Sequence, residues 1–374
     1  MIETRAPGKL YIAGEYAVVE PGHPAVLVAV DRCITVRLTA GSQMGKVHST
    51  RYGHGPVTWV RDADGQIVTD RSPYDYVTAT ISVMEKLRAE RGLAPRYFDL
   101  HIDSELDDED GRKFGLGSSA AVTVAVVAAL DEFYRMGLSL TERFRIGLLA
   151  TVEVAPRASG GDVAASTFGG FVHYTSPDRQ ELRRLAASAS VEQVLGSAVW
   201  QDCRISQLGP LAGLRLLVGW TGSPASTERL VERVQHQAAG SPGRAGGNQS
   251  GPDADYQAFL AGARTGVEEL VAAWSREPAV VLRVIGSFRT LLQGLGRLRG
   301  TQIETGQLGA LCDLAERCGA AAKPSGAGGG DCGIALMPDG RDPGTLLARW
   351  RQAGILPLGL NPYPAQQETR EASR

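Results

Sequence analysis

Residues 113–121 of the chain read Lys113-Phe114-Gly115-Leu116-Gly117-Ser118-Ser119-Ala120-Ala121. A run rich in alanine and valine follows, which predicts a buried helix over 118–134. Glycines let the backbone approach a ligand, and the unpaired N–H groups at a helix start attract anions. Two hydroxyls, one able to cap the helix and one able to reach a metal, complete a phosphate cradle. An ordinary glycine turn with a serine cap is the alternative, but it leaves the second serine and Lys113 unused.

Two familiar nucleotide-binding motifs are excluded. The pattern GxxxxGK[ST] of a Walker A loop occurs nowhere in the chain. Gly328, Gly330 and Gly333 match GxGxxG in form, but they precede an apolar run that predicts a strand over 332–337. A dinucleotide fingerprint opens a helix instead, so this match is a false positive.

Three further sequences combine glycine with charged or hydroxyl side chains. They are Ala6-Pro7-Gly8-Lys9-Leu10-Tyr11-Ile12-Ala13-Gly14-Glu15-Tyr16, Ser159-Gly160-Gly161-Asp162 and Lys323-Pro324-Ser325-Gly326-Ala327-Gly328-Gly329-Gly330-Asp331-Cys332. Each has an ordinary alternative: a surface turn, a helix-capping aspartate and a flexible linker. A linker does not usually run straight into an apolar strand, however. Only five of the 39 basic residues are lysines, and Lys9, Lys113 and Lys323 all adjoin these glycine-rich sequences.

The composition is that of an ordinary globular protein. Of 374 residues, 43% are apolar and 21% charged, which excludes disordered and fibrous classes. A net charge of −2 argues against a dedicated nucleic-acid binder. The five cysteines form no CxxC pair, and the longest uncharged apolar run suited to a helix, 118–130, is too short to cross a bilayer. We therefore expect a cytoplasmic protein with no membrane, nucleic-acid or protein partner.

The chain length favours two domains. We place the first over residues 1–210 and the second over 211–374, since a polar connection precedes an apolar strand predicted at 214–220. Strands are also predicted at 10–13, 25–30 and 33–38, and a helix at 226–237. Residues 240–255, rich in glycine, serine and proline, predict a mobile loop or lid.

Taken together, the glycine-rich sequences resemble the three motifs of the GHMP kinases, in the expected order and over residues 6–333. The resemblance implies an α+β, two-domain fold. An N-terminal domain with a mixed sheet would join a ferredoxin-like C-terminal domain, with the active site in the cleft between them. It also implies that ATP and Mg²⁺ bind in this cleft and that the chain phosphorylates a small molecule.

Within the family, the details are similar to the phosphomevalonate kinases of the mevalonate pathway. Tyr16 stands where mevalonate kinases usually have histidine, Asp331 where they usually have glycine, and Lys113 directly before the central motif. Residues 219–227 also resemble the phosphomevalonate kinase pattern. This resemblance implies 5-phosphomevalonate as the acceptor and 5-diphosphomevalonate as the product.

The resemblance further implies roles for individual residues. Lys9 and Asp162 match the family's catalytic pair, and Ser119 with Glu153 would hold Mg²⁺. The residues implied for ATP are Lys113, Gly115, Leu116, Gly117, Ser118, Ser119 and Ala120. Those expected at the acceptor are Glu15, Tyr16, Lys113, Ser159, Ser223, Lys323, Ser325 and Gly326.

A phosphate acceptor changes what the catalytic pair must do. The second pKa of a phosphate monoester lies near 6, so the acceptor is largely ionised at neutral pH and hardly needs a general base. The harder task is to bring two polyanions together, which three lysines suit. We expect Lys9 to bridge the two phosphates, Lys113 to grip the acceptor, Lys323 to reinforce the charge nearby, and Asp162 to orient Lys9.

Three alternatives stay open from the sequence. A mevalonate kinase or another small-molecule kinase of the family would take a hydroxyl acceptor, and Asp162 would then serve as a base. A decarboxylase of the same superfamily is the second. A non-catalytic, ligand-binding relative is the third, although Lys9, Ser119 and Asp162 are all present.

Overall fold

The computed structural model describes residues 1–49, 55–70, 75–108, 110–222, 230, 234 and 252–367. The predicted acceptor residue Ser223, nearly all of the helix predicted at 226–237 and most of the predicted lid at 240–255 lie outside the described residues.

A mixed eight-stranded sheet forms the first half of the molecule. Its strands are β1 (Ile2–Ala13), β2 (Pro24–Ala40), β3 (Gly45–Ser49), β4 (Val57–Arg61), β5 (Ile67–Thr69), β6 (Phe98–Ser104), β7 (Phe171–Thr175) and β8 (Ile205–Leu208). The order is β5-β4-β3-β6-β2-β7-β8, with β1 antiparallel to β2. Among the strands that the structure describes, only β3 and β6 pair in parallel, which makes the sheet mixed as predicted.

Helices cover the core side of this sheet. They are α1 (Tyr76–Glu90), α2 (Ser118–Tyr134), α3 (Leu140–Val154), α4 (Gly161–Phe168), α5 (Arg179–Ala186) and α6 (Val191–Leu195). α2 lies at the centre, against β1, α1 and α3, and its alanine and valine side chains are buried on nearly every face. Small side chains let these neighbours approach closely. The helix has the bounds predicted from sequence.

The second half contains an antiparallel four-stranded sheet. Its strands are β9 (Leu214–Trp220), β10 (Ala321–Pro324), β11 (Cys332–Pro338) and β12 (Leu356–Leu358), in the order β10-β11-β9-β12. The helices α7 (Pro252–Ala273), α8 (Pro278–Leu298) and α9 (Gly306–Arg317) separate β9 from β10, and α10 (Gly344–Gln352) separates β11 from β12. This order, with helical crossovers on both sides, is ferredoxin-like, which confirms the predicted fold class.

The end of the described chain returns to the first sheet. Tyr363 N donates to Ala29 O and Gly170 N donates to Tyr363 O, both at 2.8 Å. Asn361 N also donates to the Asp31 carboxylate at 2.9 Å. The first sheet ends at position 208 and the second begins at position 214. Residues 361–367 nevertheless pack on the N-terminal half, so the end of the C-terminal half is bonded to the first sheet.

One described helix, α8, is long and apolar enough to cross a membrane by length and composition alone. Its side chains Val284, Ile285 and Phe288 are buried, and the helix packs against α7 and β10. The apolar face of α8 is therefore occupied inside the molecule, as it is in a core helix.

The strands were harder to predict than the helices. β1 and β2 extend well beyond the predicted 10–13, 25–30 and 33–38, and the last two predicted strands are one continuous strand, Pro24–Ala40. The strands β3, β4 and β5 were missed. They are short and mix polar with apolar residues, so they carry little periodic signal.

The third glycine-rich loop, between β10 and β11, generates a stability prediction. Gly328 has φ +66°, and a methyl group there would collide with the carbonyl of Ile303. We expect Gly328→Ala to lower the free energy of unfolding by about 2 kcal/mol, because left-handed backbone and overlap with main chain both oppose it. Urea unfolding measures this loss.

Gly340→Ala is the matched control, since nothing lies within 4 Å of a methyl group at that position. We expect it to change the unfolding midpoint little. Equal midpoints for the two variants would contradict the tight packing of the loop on Ile303.

Candidate active site

Lys9 lies on β1 directly over the phosphate loop, which we define as residues 115–120. Its N–H donates to Leu116 O at 2.8 Å, so strand and loop are joined by main chain. Gly117 has φ +76°, and a methyl group there would stand 2.8 Å from Lys9 Cε. The Lys9 ammonium is 5.4 Å from the centre of the Tyr11 ring. The left-handed backbone at position 117 favours glycine, and the lysine side chain passes closely over this residue.

The phosphate loop ends at the start of α2. Gly117 is the capping residue of the helix and has no side chain to bond the first turn, so a ligand can take those N–H groups. Leu116 and Ala120 are buried in the core, Ser118 is buried, and Ser119 is half-buried on the first turn. The sequence prediction of a phosphate cradle here is consistent with this geometry.

Lys113 is exposed just before the loop. Its main chain pairs with Asp107 in an isolated bridge, which joins the segment after β6 to the start of the loop. Gly115, with φ +80°, packs against the side chain of Asp331, where a methyl group would stand 2.6 Å from Asp331 Cβ. The central and third glycine-rich sequences are therefore in direct contact.

Asp162 occupies the first turn of α4, which begins after Gly160 in the left-handed conformation. The carboxylate accepts from Val163 N at 3.2 Å and remains partly exposed. Ser166 on the same helix donates to Pro7 O at 2.7 Å, which holds α4 against β1. The start of α4, and with it Asp162, is thereby fixed beside the strand that carries Lys9.

Tyr11 connects the two predicted catalytic residues, although the sequence analysis gave it no role. Burial raises the pKa of its hydroxyl well above the usual range, and the negative charge of Asp162 raises it further. The hydroxyl is hydrogen-bonded to Ser159 Oγ at 2.9 Å. Lys9 and Ser159 thus both contact this buried side chain, and the tyrosine stays neutral.

Ser159 is fixed from several sides. Its carbonyl accepts from Tyr174 OH at 2.7 Å and from Ser176 Oγ at 3.1 Å. Arg179 adds hydrogen bonds to the carbonyls of Arg157 and Ala158, just before Ser159, and to Val19 O. Burial lowers the pKa of this guanidinium. The role of Arg179 was missed because its partners are main-chain groups far away in sequence.

The third glycine-rich loop is bonded to the first motif. Ser325 Oγ accepts from Tyr11 N at 2.8 Å and donates to Tyr11 O at 3.0 Å. Tyr16 OH donates to Ala327 O at 2.6 Å, and Gly326 N contacts Glu15 Oε1 at 3.4 Å. The predicted acceptor residues Tyr16, Ser325 and Gly326 therefore lie together at the end of β1.

Glu15 and Lys323 form a buried ion pair beneath this loop. Their side chains are 1% and 0% exposed, and Glu15 Oε2 has no hydrogen-bond partner. Burial lowers the pKa of the Lys323 ammonium, which the Glu15 carboxylate partly offsets. The direct substrate contact predicted for Lys323 is not available in this structure, because its charge faces Glu15 and none of its surface is exposed.

The residues predicted to hold a metal lie at two helix ends. Ser119 is on the first turn of α2 and Glu153 is next to the last residue of α3. Within the described ranges, no group of three or more histidine, cysteine, aspartate or glutamate side chains could hold a metal ion. Mg²⁺ commonly takes one or two carboxylates together with substrate phosphates, so this donor set fits a cation that enters with the nucleotide.

Two family models match the chain. The model of the GHMP kinases N terminal domain matches residues 75–170, which contain the phosphate loop and Asp162. The model of the GHMP kinases C terminal domain matches residues 277–356, which contain the third glycine-rich loop.

Similar proteins agree with these matches. A phosphomevalonate kinase from Streptomyces sp. (strain CL190) is 44% identical, over 96% of this chain and 97% of that protein. A Streptococcus pneumoniae phosphomevalonate kinase, solved in complex with phosphomevalonate and AMPPNP, superposes with a TM-score of 0.82 at 30% identity, over 97% of this chain and 100% of that one. A Lin0012 protein from Listeria innocua gives a TM-score of 0.88 at 33% identity, over 98% and 99%. The chain therefore belongs to the GHMP kinase family, together with the phosphomevalonate kinases.

Proposed function

We propose that the chain transfers the terminal phosphoryl group of ATP to the phosphate of 5-phosphomevalonate, which yields 5-diphosphomevalonate and ADP. The observation that carries the proposal is the position of Lys9 between the phosphate loop and the ring of Tyr11. The 44% identity to a phosphomevalonate kinase supports the choice of acceptor.

In this mechanism Lys9 bridges the donor and acceptor phosphates. An ammonium group is a compact charge suited to phosphate oxygens. It stabilises the transferring phosphoryl group more strongly as negative charge spreads over that group. The acceptor phosphate is already ionised, so Asp162 serves to orient Lys9 rather than to remove a proton. The hydrogen bond between Tyr11 OH and Ser159 Oγ fixes these two side chains relative to each other.

The nucleotide would lie on the phosphate loop. Backbone N–H groups at the start of α2 would bind its phosphates, and Leu116 and Ala120 would fix the loop on the core. Mg²⁺ would be held by Ser119 and Glu153 and would offset negative charge on the phosphates.

The acceptor would lie between the end of β1 and the start of α4. Lys113, Tyr16, Ser159, Ser325 and Gly326 are the proposed contacts, together with Ser223 outside the described residues. We assign Glu15 and Lys323 a supporting role, since their charges neutralise each other below the third loop. All five cysteines are free thiols, which supports the proposed cytoplasmic location.

The proposed function generates three predictions, of which the first concerns the acceptor. With ATP and Mg²⁺, we expect ADP release with 5-phosphomevalonate and little with mevalonate or homoserine, because the lysines provide charge for a second phosphate. A coupled ADP assay measures this preference. Turnover with an unphosphorylated alcohol would restore Asp162 as a base and reject the proposed acceptor.

The second prediction compares the catalytic pair. We expect Lys9→Met to lower kcat about 10³-fold, because it removes charge where negative charge concentrates. Asp162→Asn should cost less, about 10- to 10²-fold, since it only loosens the lysine. Steady-state kinetics compare the kcat values of the two variants, and unchanged thermal unfolding is the control for folding. A larger loss of kcat for Asp162→Asn would contradict the electrostatic mechanism.

The third prediction concerns the Glu15–Lys323 pair. Lys323→Met should lower the free energy of unfolding by about 3–5 kcal/mol, because it leaves a buried carboxylate unpaired. The double variant Glu15→Gln/Lys323→Met should recover most of that loss. Urea unfolding measures both variants.

Glu269→Gln provides the control for this pair, since it breaks an exposed ion pair with Arg283 and should leave the unfolding midpoint almost unchanged. The KM of the stable double variant for phosphomevalonate then tests the supporting role of Glu15 and Lys323. If its KM for phosphomevalonate rose sharply despite restored stability, Lys323 would be a substrate contact after all.

A further inference from the structure

Two groups contact the side-chain oxygen of Ser159. Gly161 N donates to Ser159 Oγ at 3.3 Å, and the Tyr11 hydroxyl lies 2.9 Å from the same oxygen. Each hydroxyl of the second pair is able to donate to the other. The placement of the two hydroxyl protons therefore decides what Ser159 offers to a ligand, and it follows from the partners that each hydroxyl has.

The Tyr11 hydroxyl is buried and protonated. Among the described residues its one hydrogen-bond partner is Ser159 Oγ. It packs against Gly161, where a methyl group would stand 2.9 Å from the hydroxyl oxygen. Burial and the charge of Asp162 keep the pKa of this hydroxyl far above its usual value. A buried O–H group that fails to donate costs free energy, so Tyr11 donates and Ser159 accepts.

This direction of donation leaves Ser159 with a proton only. A serine hydroxyl has one proton to donate and two lone pairs that accept, and here Gly161 N and Tyr11 OH use both lone pairs. No other group in the described part of the chain accepts the remaining proton. The Ser159 carbonyl is held by Tyr174 and Ser176, which keeps the residue in place. Ser159 is therefore a donor waiting for an acceptor atom.

Tyr11 itself is fixed by three contacts. Ser325 Oγ accepts from Tyr11 N and donates to Tyr11 O, so its main chain is bonded to the third loop. The Lys9 ammonium is 5.4 Å from the ring centre, within the range of a cation–π attraction. The hydroxyl packs against Gly161. With main chain, ring and hydroxyl all in contact, Tyr11 has little freedom to turn away from Ser159.

We propose that Tyr11 is a positioning residue, which acts through Ser159 by fixing that hydroxyl as a hydrogen-bond donor to the acceptor. The inference rests on the proposed function, in which Ser159 contacts 5-phosphomevalonate. A serine with a free lone pair is able to turn and accept, whereas Ser159 is restricted to donation. Hydrogen bonds to charged oxygens are the stronger ones. The site thus favours an acceptor that presents an anionic oxygen to Ser159 and disfavours one that presents an N–H or O–H group.

A double-mutant cycle tests whether Tyr11 acts through Ser159. Ser159→Ala removes the donor, and we expect the KM for phosphomevalonate to rise about 30-fold. Tyr11→Phe keeps the ring beside Lys9 and removes only the hydroxyl, so this KM should rise about 3- to 10-fold. The kcat should change less than the KM in both variants, and the KM for ATP should stay the same. In the double variant, Tyr11→Phe should add nothing to the effect of Ser159→Ala.

Tyr134→Phe is the matched control. It also removes a buried tyrosine hydroxyl, which donates to Glu85 Oε1 at 2.6 Å, but it lies at the opposite end of α2 from the phosphate loop. Its KM for phosphomevalonate should equal that of the wild type. If the two single effects multiply in the double variant, or if Tyr11→Phe leaves the KM unchanged, Tyr11 does not act through Ser159 and this inference alone is rejected. If the wild type does not turn over phosphomevalonate, the proposed function falls as well.

A second measurement needs neither turnover nor a folded Ser159→Ala variant. In wild-type protein labelled with ¹³Cζ-tyrosine, the NMR signal of Tyr11 is identified by its absence from Tyr11→Phe. We expect this signal to stay at the position of a neutral phenol up to about pH 10, the ordinary pKa of tyrosine, with and without phosphomevalonate. A signal that titrates below that pH would overturn the proposal, because a phenolate accepts hydrogen bonds and has no proton to donate.

Discussion

The buried ion pair between Glu15 and Lys323 is the constraint on which the cleft depends. Neither charge is exposed, so each is tolerable only while the other is in place. The pair joins the end of β1 to the strand before the third glycine-rich loop. Ser325 and Tyr16 add hydrogen bonds across the same junction. Two sheets that share no strand are thereby held as one site.

Charge in the cleft follows a simple division. Lysines lie at the phosphate loop, where Lys9 crosses Gly117 and Lys113 is exposed. The buried Arg179 is instead fixed by hydrogen bonds to main-chain carbonyls just before Ser159. A mobile ammonium can follow a phosphoryl group as it is transferred, whereas a fixed guanidinium suits a group that does not react.

Local signals in the sequence predicted much of the fold and part of the site. The helix Ser118–Tyr134 was predicted with its observed bounds because a glycine cap and a continuous apolar run are both local features. The burial of Lys323 was not predicted, because it depends on a carboxylate 308 residues away in the sequence. Arg179, whose partners are main-chain carbonyls, carried no motif at all. What sequence reasoning missed are pairings set by tertiary contacts, which no local pattern encodes.

The distance along the chain between Glu15 and Lys323 also bears on biosynthesis. At about 5–20 residues per second, a ribosome needs about 15 to 60 s to add the 308 residues that separate them. During that time the N-terminal sheet can pair its own strands, but Glu15 stays without its ammonium partner. The cleft is therefore among the last features to form, and nascent chains that stop short of residue 323 cannot complete it.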